Sequence, residues 1–174
     1  MKLYPEMFFS VWHLAALILT LIAFIALIIG GYDRRTILKS TGSSLLIFYC
    51  IVTIPVGLIT QENLHREEKM LGALDQKYEK AKSAGSEEKV IVHVGAFADE
   101  DDDNALLVYA GNYHEAQPFT GSISVTVYDQ NDEEVFTETY RDISLQPGEK
   151  RKIDSTFTSR PMDTYTYIFE AQPR

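Results

Sequence analysis

The chain has 174 residues, a net charge of −9 and one cysteine. Residues 1–84 carry nine Lys/Arg against seven Asp/Glu and residues 85–174 seven against eighteen, so the C-terminal half repels nucleic acid and anionic lipid. Once roughly sixty residues of apolar sequence are set aside, the length leaves one small domain of about ninety residues. Cys50 lies inside an apolar run, which leaves that domain without a disulfide or thiol.

Residues Met7 to Gly31 (7–31) contain no Asp, Glu, Lys or Arg. At about 1.5 Å per residue, a helix over this run spans a hydrocarbon core of about 30 Å, so it reads as a first transmembrane helix. It is too long for the apolar core of a signal peptide, and no small-x-small triplet closes it. Tyr4, Phe8, Phe9 and Trp12 at one end and Tyr32 at the other suit the two water interfaces. His13 reads first as a neutral histidine near the interface; the alternative is a proton or ligand site.

Residues 32–40 read as a short loop whose Arg34, Arg35 and Lys39 outnumber Asp33, which places it in the cytoplasm by the positive-inside rule. Both termini and the acidic domain then lie outside the cell membrane. Lys2, Arg66 and Lys69 argue for the opposite sidedness. A second transmembrane helix is expected over 41–60, with a kink where Pro55 and Gly57 interrupt it. The bend is either a packing surface for a partner helix or a local feature of a membrane helix. Residues 61–84 form a charged amphipathic stalk with Leu64, Leu71, Leu74, Tyr78 and Ala81 on one seam. That seam suits a short coiled coil with a partner or second copy, or packing on its own domain or the membrane surface. Gly85 ends the helix.

From residue 87 to 174 the period becomes two. Val90, Val92 and Val94 alternate with polar residues, as do Ile123, Val125 and Val127, then Ile153 and Phe157, then Tyr165, Tyr167 and Phe169. Turn signals stand at Asp129–Asp132, at Gln146–Glu149, where Pro147 and Gly148 suit a type II turn, and at Arg160–Asp163. With 105–110 and 134–145, the latter whole or in two pieces, six or seven strands result. The expected fold is a membrane α-helical hairpin joined by a short amphipathic helix to an all-β antiparallel sandwich.

Val125-Thr126-Val127-Tyr128-Asp129 resembles the strand motif that names the FxLYD family. Gly111-Asn112 upstream and Leu145-Gln146-Pro147-Gly148-Glu149 downstream flank it as in that family. The likeness covers about residues 89–170 and departs from the motif at Val125 and Val127, where the family has Phe and Leu. It implies an immunoglobulin-like domain on a bacterial or archaeal membrane protein, and it carries over no activity, cofactor or catalytic residue.

Chemistry has few places to reside. Asp99, Asp101 and Asp103 belong to an acidic run that reads first as a solvated loop; a divalent cation held by oxygen ligands is the alternative, although Asn104 and Ala110 break an EF-hand spacing. His93 and His114 have no ligand partners in sequence. No nucleophile elbow, zinc-protease pair or phosphate loop occurs, so no enzyme activity and no cofactor are expected. Tyr113 and Phe119, flanking the loop 114–118, are the expected exposed pair and, with Pro55 and Gly57, the candidate partner-binding residues. The sequence thus suggests a non-catalytic accessory or scaffolding protein. Its expected partners are the bilayer and another membrane protein or complex, or a second copy, and no nucleic acid. The alternative is a sensor of a small ligand or divalent cation.

Overall fold

The computed structural model describes residues 4–98 and 103–171. Two helices precede six strands: α1 (Trp12–Ile29), α2 (Arg34–Ser83), β1 (Val90–Ala98), β2 (Asn104–Asn112), β3 (Phe119–Tyr128), β4 (Glu134–Leu145), β5 (Lys150–Thr158) and β6 (Thr164–Ala171), after a 3-10 turn at Pro5–Met7. The chain divides into two compact units, residues 1–65 and 66–174.

In the first unit α1 and the first part of α2 are long and apolar enough to cross a membrane. Gly31 at φ 70° lets α1 close with a bond from Tyr32 N–H to the Leu27 carbonyl. The loop expected over 32–40 is shorter than that, because Asp33 caps α2. Its carboxylate accepts the Thr36 N–H at 3.0 Å and the Thr36 hydroxyl at 2.6 Å, so the basic residues lie within the helix's first turns. Nor does the chain break near residue 60. Gln61-Glu62-Asn63 continue the helix, and the second span and the stalk are one element of 50 residues. Pro55 removes one bond of its ladder without ending it.

The second unit holds two three-stranded antiparallel sheets, in order β1-β2-β5 and β4-β3-β6. One apolar cluster draws on both: Val90, Val92, Val94, Val108 and Ala110 from the first sheet, and Ile123, Val125, Val127 and Leu145 from the second. β4 remains a single strand, bent where Asp142 takes φ 55° and the register with β3 shifts. Gly148 has the positive φ of a type II turn, closed by Glu149 N–H to the Gln146 carbonyl at 3.0 Å.

β2 is buried along nearly its whole length, on both faces. Val108 and Ala110 enter the shared cluster, while Leu107 and Tyr109 face the other way onto Met70, Leu71 and Phe97. The stalk portion of α2 therefore packs on its own domain, the arrangement the apolar seam allowed. Met70 and Leu74 are fully buried. Two glycines make the approach close: a Cβ on Gly95 would overlap Met70 Sδ, and one on Gly111 would lie 2.8 Å from Leu74 Cδ2.

Candidate functional site

Within the first unit, the polar residues of the helical pair converge on His13. Thr53 Oγ1 lies 3.0 Å from His13 Nε2 and donates its own proton to the Tyr49 carbonyl at 2.7 Å, so the imidazole must donate there. Nδ1 in turn accepts the Ser10 N–H at 3.0 Å. Both ring nitrogens are thus engaged, Nδ1 also lying 3.2 Å from the Ser10 carbonyl, and the ring is tilted against Tyr49 at 4.9 Å between ring centroids. Tyr49 donates its hydroxyl to the Phe8 carbonyl at 3.2 Å. His13, Ala16 and Thr20 are the buried positions of α1, one narrow stripe on which two helices can approach closely. Beside them a cavity of about 510 Å³ is lined by Phe8, Phe9, Leu14, Leu17, Leu45 and Tyr49, among others. The rest of the helical surface is exposed aliphatic side chain, Leu14, Ile18 and Ile22 on α1 and Leu46, Ile51 and Ile54 on α2 among them.

In the second unit the ionisable groups gather where the stalk meets the sheets. Lys77 Nζ donates to the Val92 carbonyl and to the Tyr165 hydroxyl, both at 3.0 Å, and lies 4.4 and 4.3 Å from the ring centroids of Tyr165 and Tyr167. Burial pulls its pKa from 10.5 down to about 8, with Glu88 opposing. His93 Nδ1 is 3.0 Å from the same Tyr165 hydroxyl, and burial, then the Lys77 charge, hold its pKa below the usual value. Burial also raises Tyr165 and Tyr167 above the ordinary phenol range. Two residues earlier on α2, Asp75 Oδ1 accepts from Lys150 Nζ at 2.5 Å and from the Tyr113 hydroxyl at 2.6 Å. Burial pushes the Asp75 carboxyl up, but these two bonds outweigh it and leave the pKa low.

A third cluster locks the turn after β3. Asp129 Oδ1 accepts the N–H groups of Asn131 and Glu133 at 2.9 and 3.0 Å, and Oδ2 meets Arg160 Nη2 at 2.5 Å. The Asn131 N–H, and then Arg160, hold its pKa low against burial. Asn112 is fully buried and donates to the carbonyls of Gln117 and Leu145 at 2.8 and 3.1 Å, tying the loop 113–118 to β4.

The residues singled out from the sequence do not form one site. Asp99 and Asp101 lie outside the described residues; Asp103 is half-buried just before β2, and no group of three His, Cys, Asp or Glu among the described residues is placed to hold a metal. Pro55 is exposed on α2 and Gly57 is buried in it. Tyr113 and Phe119 are not the exposed pair expected. The Tyr113 ring stacks on Tyr78 at 4.0 Å because the stalk packs there, and Phe119 meets Phe169 edge-on at 5.6 Å within the shared apolar cluster. Lys77 was missed because a lysine on a charged helix reads as solvated. Its only sequence signal is its place three residues after Leu74, on the same helix face. No family model and no curated protein matches the chain.

Proposed function

We propose that this chain is a membrane-anchored, non-catalytic accessory or scaffolding protein. It presents a β-sandwich of immunoglobulin-like, FxLYD-type form outside the cytoplasmic membrane for protein–protein contact. The observation that carries this reading is how the polar groups are spent. Lys77, His93, Tyr165, Asp75, Tyr113, Lys150, Asp129 and Arg160 are each bound to a neighbour that fastens one element to another, as structural links do. A breadth of exposed aliphatic side chains on the helical pair supports the bilayer as one partner, since contiguous apolar surface of that extent is unsuited to water. The apolar cluster built from both sheets supports the sandwich. Asp129 supports the family likeness, because the Asp that closes the motif has a conformational task in the turn. Arg34, Arg35 and Lys39 between the two spans support the basic end in the cytoplasm.

Sidedness and partner are tested together in intact cells, with Cys50 replaced by alanine. A membrane-impermeant maleimide is expected to label Ser86→Cys directly and Arg35→Cys only after permeabilisation. Photo-cross-linkers placed along the exposed face of α2 are expected to capture a defined membrane protein. The reverse labelling pattern refutes the sidedness, and capture of nothing but lipid refutes the scaffold.

A further inference from the structure

The cavity beside His13 does not end where the polar residues do. A second cavity of about 380 Å³ shares Leu17, Leu45 and Tyr49 with it and continues along α2 past Leu46 to Gly42. Tyr49 and Gly42 stand seven residues apart on one helix, about 10 Å of rise, so the two cavities form a pocket with a groove leading out of it. At Gly42 a Cβ would meet nothing within 4 Å, which keeps the groove clear there. The walls are set in advance. His13 is tied to Thr53 and to the Ser10 backbone, and Tyr49 to the Phe8 carbonyl, so the two helices are fastened to each other beside the pocket. A pre-formed concavity between helices, apolar with a few polar atoms at one end, is the usual form of a small-molecule site.

The lining narrows what fits. Among the described residues, no Lys, Arg, Asp or Glu lines either cavity. The cavity beside Phe24, Ile28, Ile37 and Leu38, by contrast, includes Arg34. A phosphate or carboxylate head placed beside Phe8 and Phe9 would therefore lose its water and gain no cation in return. An uncharged head loses little. Ser10 Oγ accepts the Trp12 N–H at 3.4 Å and has its own proton to donate, while the rings of Phe8, Phe9 and Tyr49 offer flat apolar surface around it. A bare acyl chain would fill the groove and use neither the hydroxyl nor the rings.

We propose that this pocket binds an isoprenoid quinone of the bilayer. Its planar ring lies among Phe8, Phe9 and Tyr49, one ring carbonyl accepts from the Ser10 hydroxyl, and the start of its tail follows Leu17 and Leu45 to Gly42. The class combines the three properties that the lining selects: a flat ring, an uncharged acceptor and an apolar tail. The chain holds the quinone as a ligand, without electron transfer, and the proposal rests on the membrane reading above.

The test uses the full chain in phosphatidylcholine vesicles, titrated with decylubiquinone. Trp12, the one tryptophan of the chain, stands between the lining residues Val11 and His13, and a bound quinone quenches its fluorescence. Quenching is expected to saturate at one quinone per chain in the presence of excess phospholipid. Gly42→Leu places a side chain in the groove at a position with room for it, and is expected to raise the half-saturating concentration at least tenfold. Ser10→Ala removes one hydrogen bond and is expected to raise it about fivefold. The helical dichroism of both variants stays that of the wild type. Quenching that never saturates, equal in the wild type and Gly42→Leu, is what random collision in the bilayer gives and overturns the proposal. So does displacement of the quinone by an equal amount of phosphatidylglycerol, which would make the pocket a site for anionic lipid. Flotation of the vesicles is scored separately: a chain that does not float with them defeats the membrane reading and this proposal with it, whereas a floated chain with unsaturable quenching defeats the proposal alone.

Discussion

Lys77 sets a pH signature that can be worked out in advance. The groups facing it are His93 on β1, Tyr165 and Tyr167 on β6, and Glu88 in the segment before β1. In the unfolded chain the lysine keeps its ordinary value of 10.5; in the folded protein burial brings it to about 8. Below pH 8 both states bind the proton and stability is flat. Between pH 8 and 10 the folded state has released it and the unfolded state has not, so stability rises with pH. One proton contributes about 1.4 kcal/mol per pH unit, hence at most about 2.7 kcal/mol over two units. Lys77 keeps partial contact with water, which halves the expectation to about 1.3 kcal/mol. For a unit of this size that is a rise in Tm of about 5 °C. The window is clean on both sides. His93, with its pKa held down, adds stability only as pH rises toward 6.5, and the tyrosines, with theirs raised, withdraw it only above pH 10. The assay is thermal unfolding of the full chain in detergent, read by tyrosine near-ultraviolet dichroism at pH 7, 8, 9 and 10, for the wild type and Lys77→Met. The wild type is expected to rise and the variant to stay flat. A flat or falling wild type, or a variant that keeps the rise, refutes the account of a desolvated ammonium.

Two further expectations concern packing. Leu74→Ala empties a fully buried site between stalk and sheet and should cost about 2–4 kcal/mol, while Gly111→Ala forces a Cβ to 2.8 Å from the same leucine and should cost about 1–2 kcal/mol. In the same thermal assay the double variant should be less destabilised than the sum of the two, because the smaller residue at 74 makes room for the added methyl; strict additivity would refute the contact. Thr53→Val deletes the acceptor of the His13 Nε2–H and should loosen the helical pair by about 0.6 kcal/mol. It is read as faster hydrogen exchange at residues 12–20, with no change in the strands.

How much of this was legible in the sequence follows from what each signal reports. Period and hydropathy describe one element at a time, so the two apolar spans, the strands from Val90 to Phe169 and the turns at Asp129 and Gly148 could be read directly. What requires two elements at once could not. Asn104–Asn112 lacks alternation because β2 is covered on both faces, and that cover is a helix some thirty residues upstream. Gly95 and Gly111 look like weak points in strands until Met70 and Leu74 are placed against them. Tyr113, an aromatic residue beside a loop, suggested an exposed contact; the docked stalk turns it into a clasp through Tyr78 and Asp75. The same docking explains why a lysine can occupy the middle of an apolar seam. Its ammonium sits over the rings of Tyr165 and Tyr167 and donates to an edge carbonyl, which fixes the register of helix on sheet and denies that carbonyl to any other strand. One residue thus couples the stalk's attachment to the protection of β1 and ties both to the aromatic row of β6.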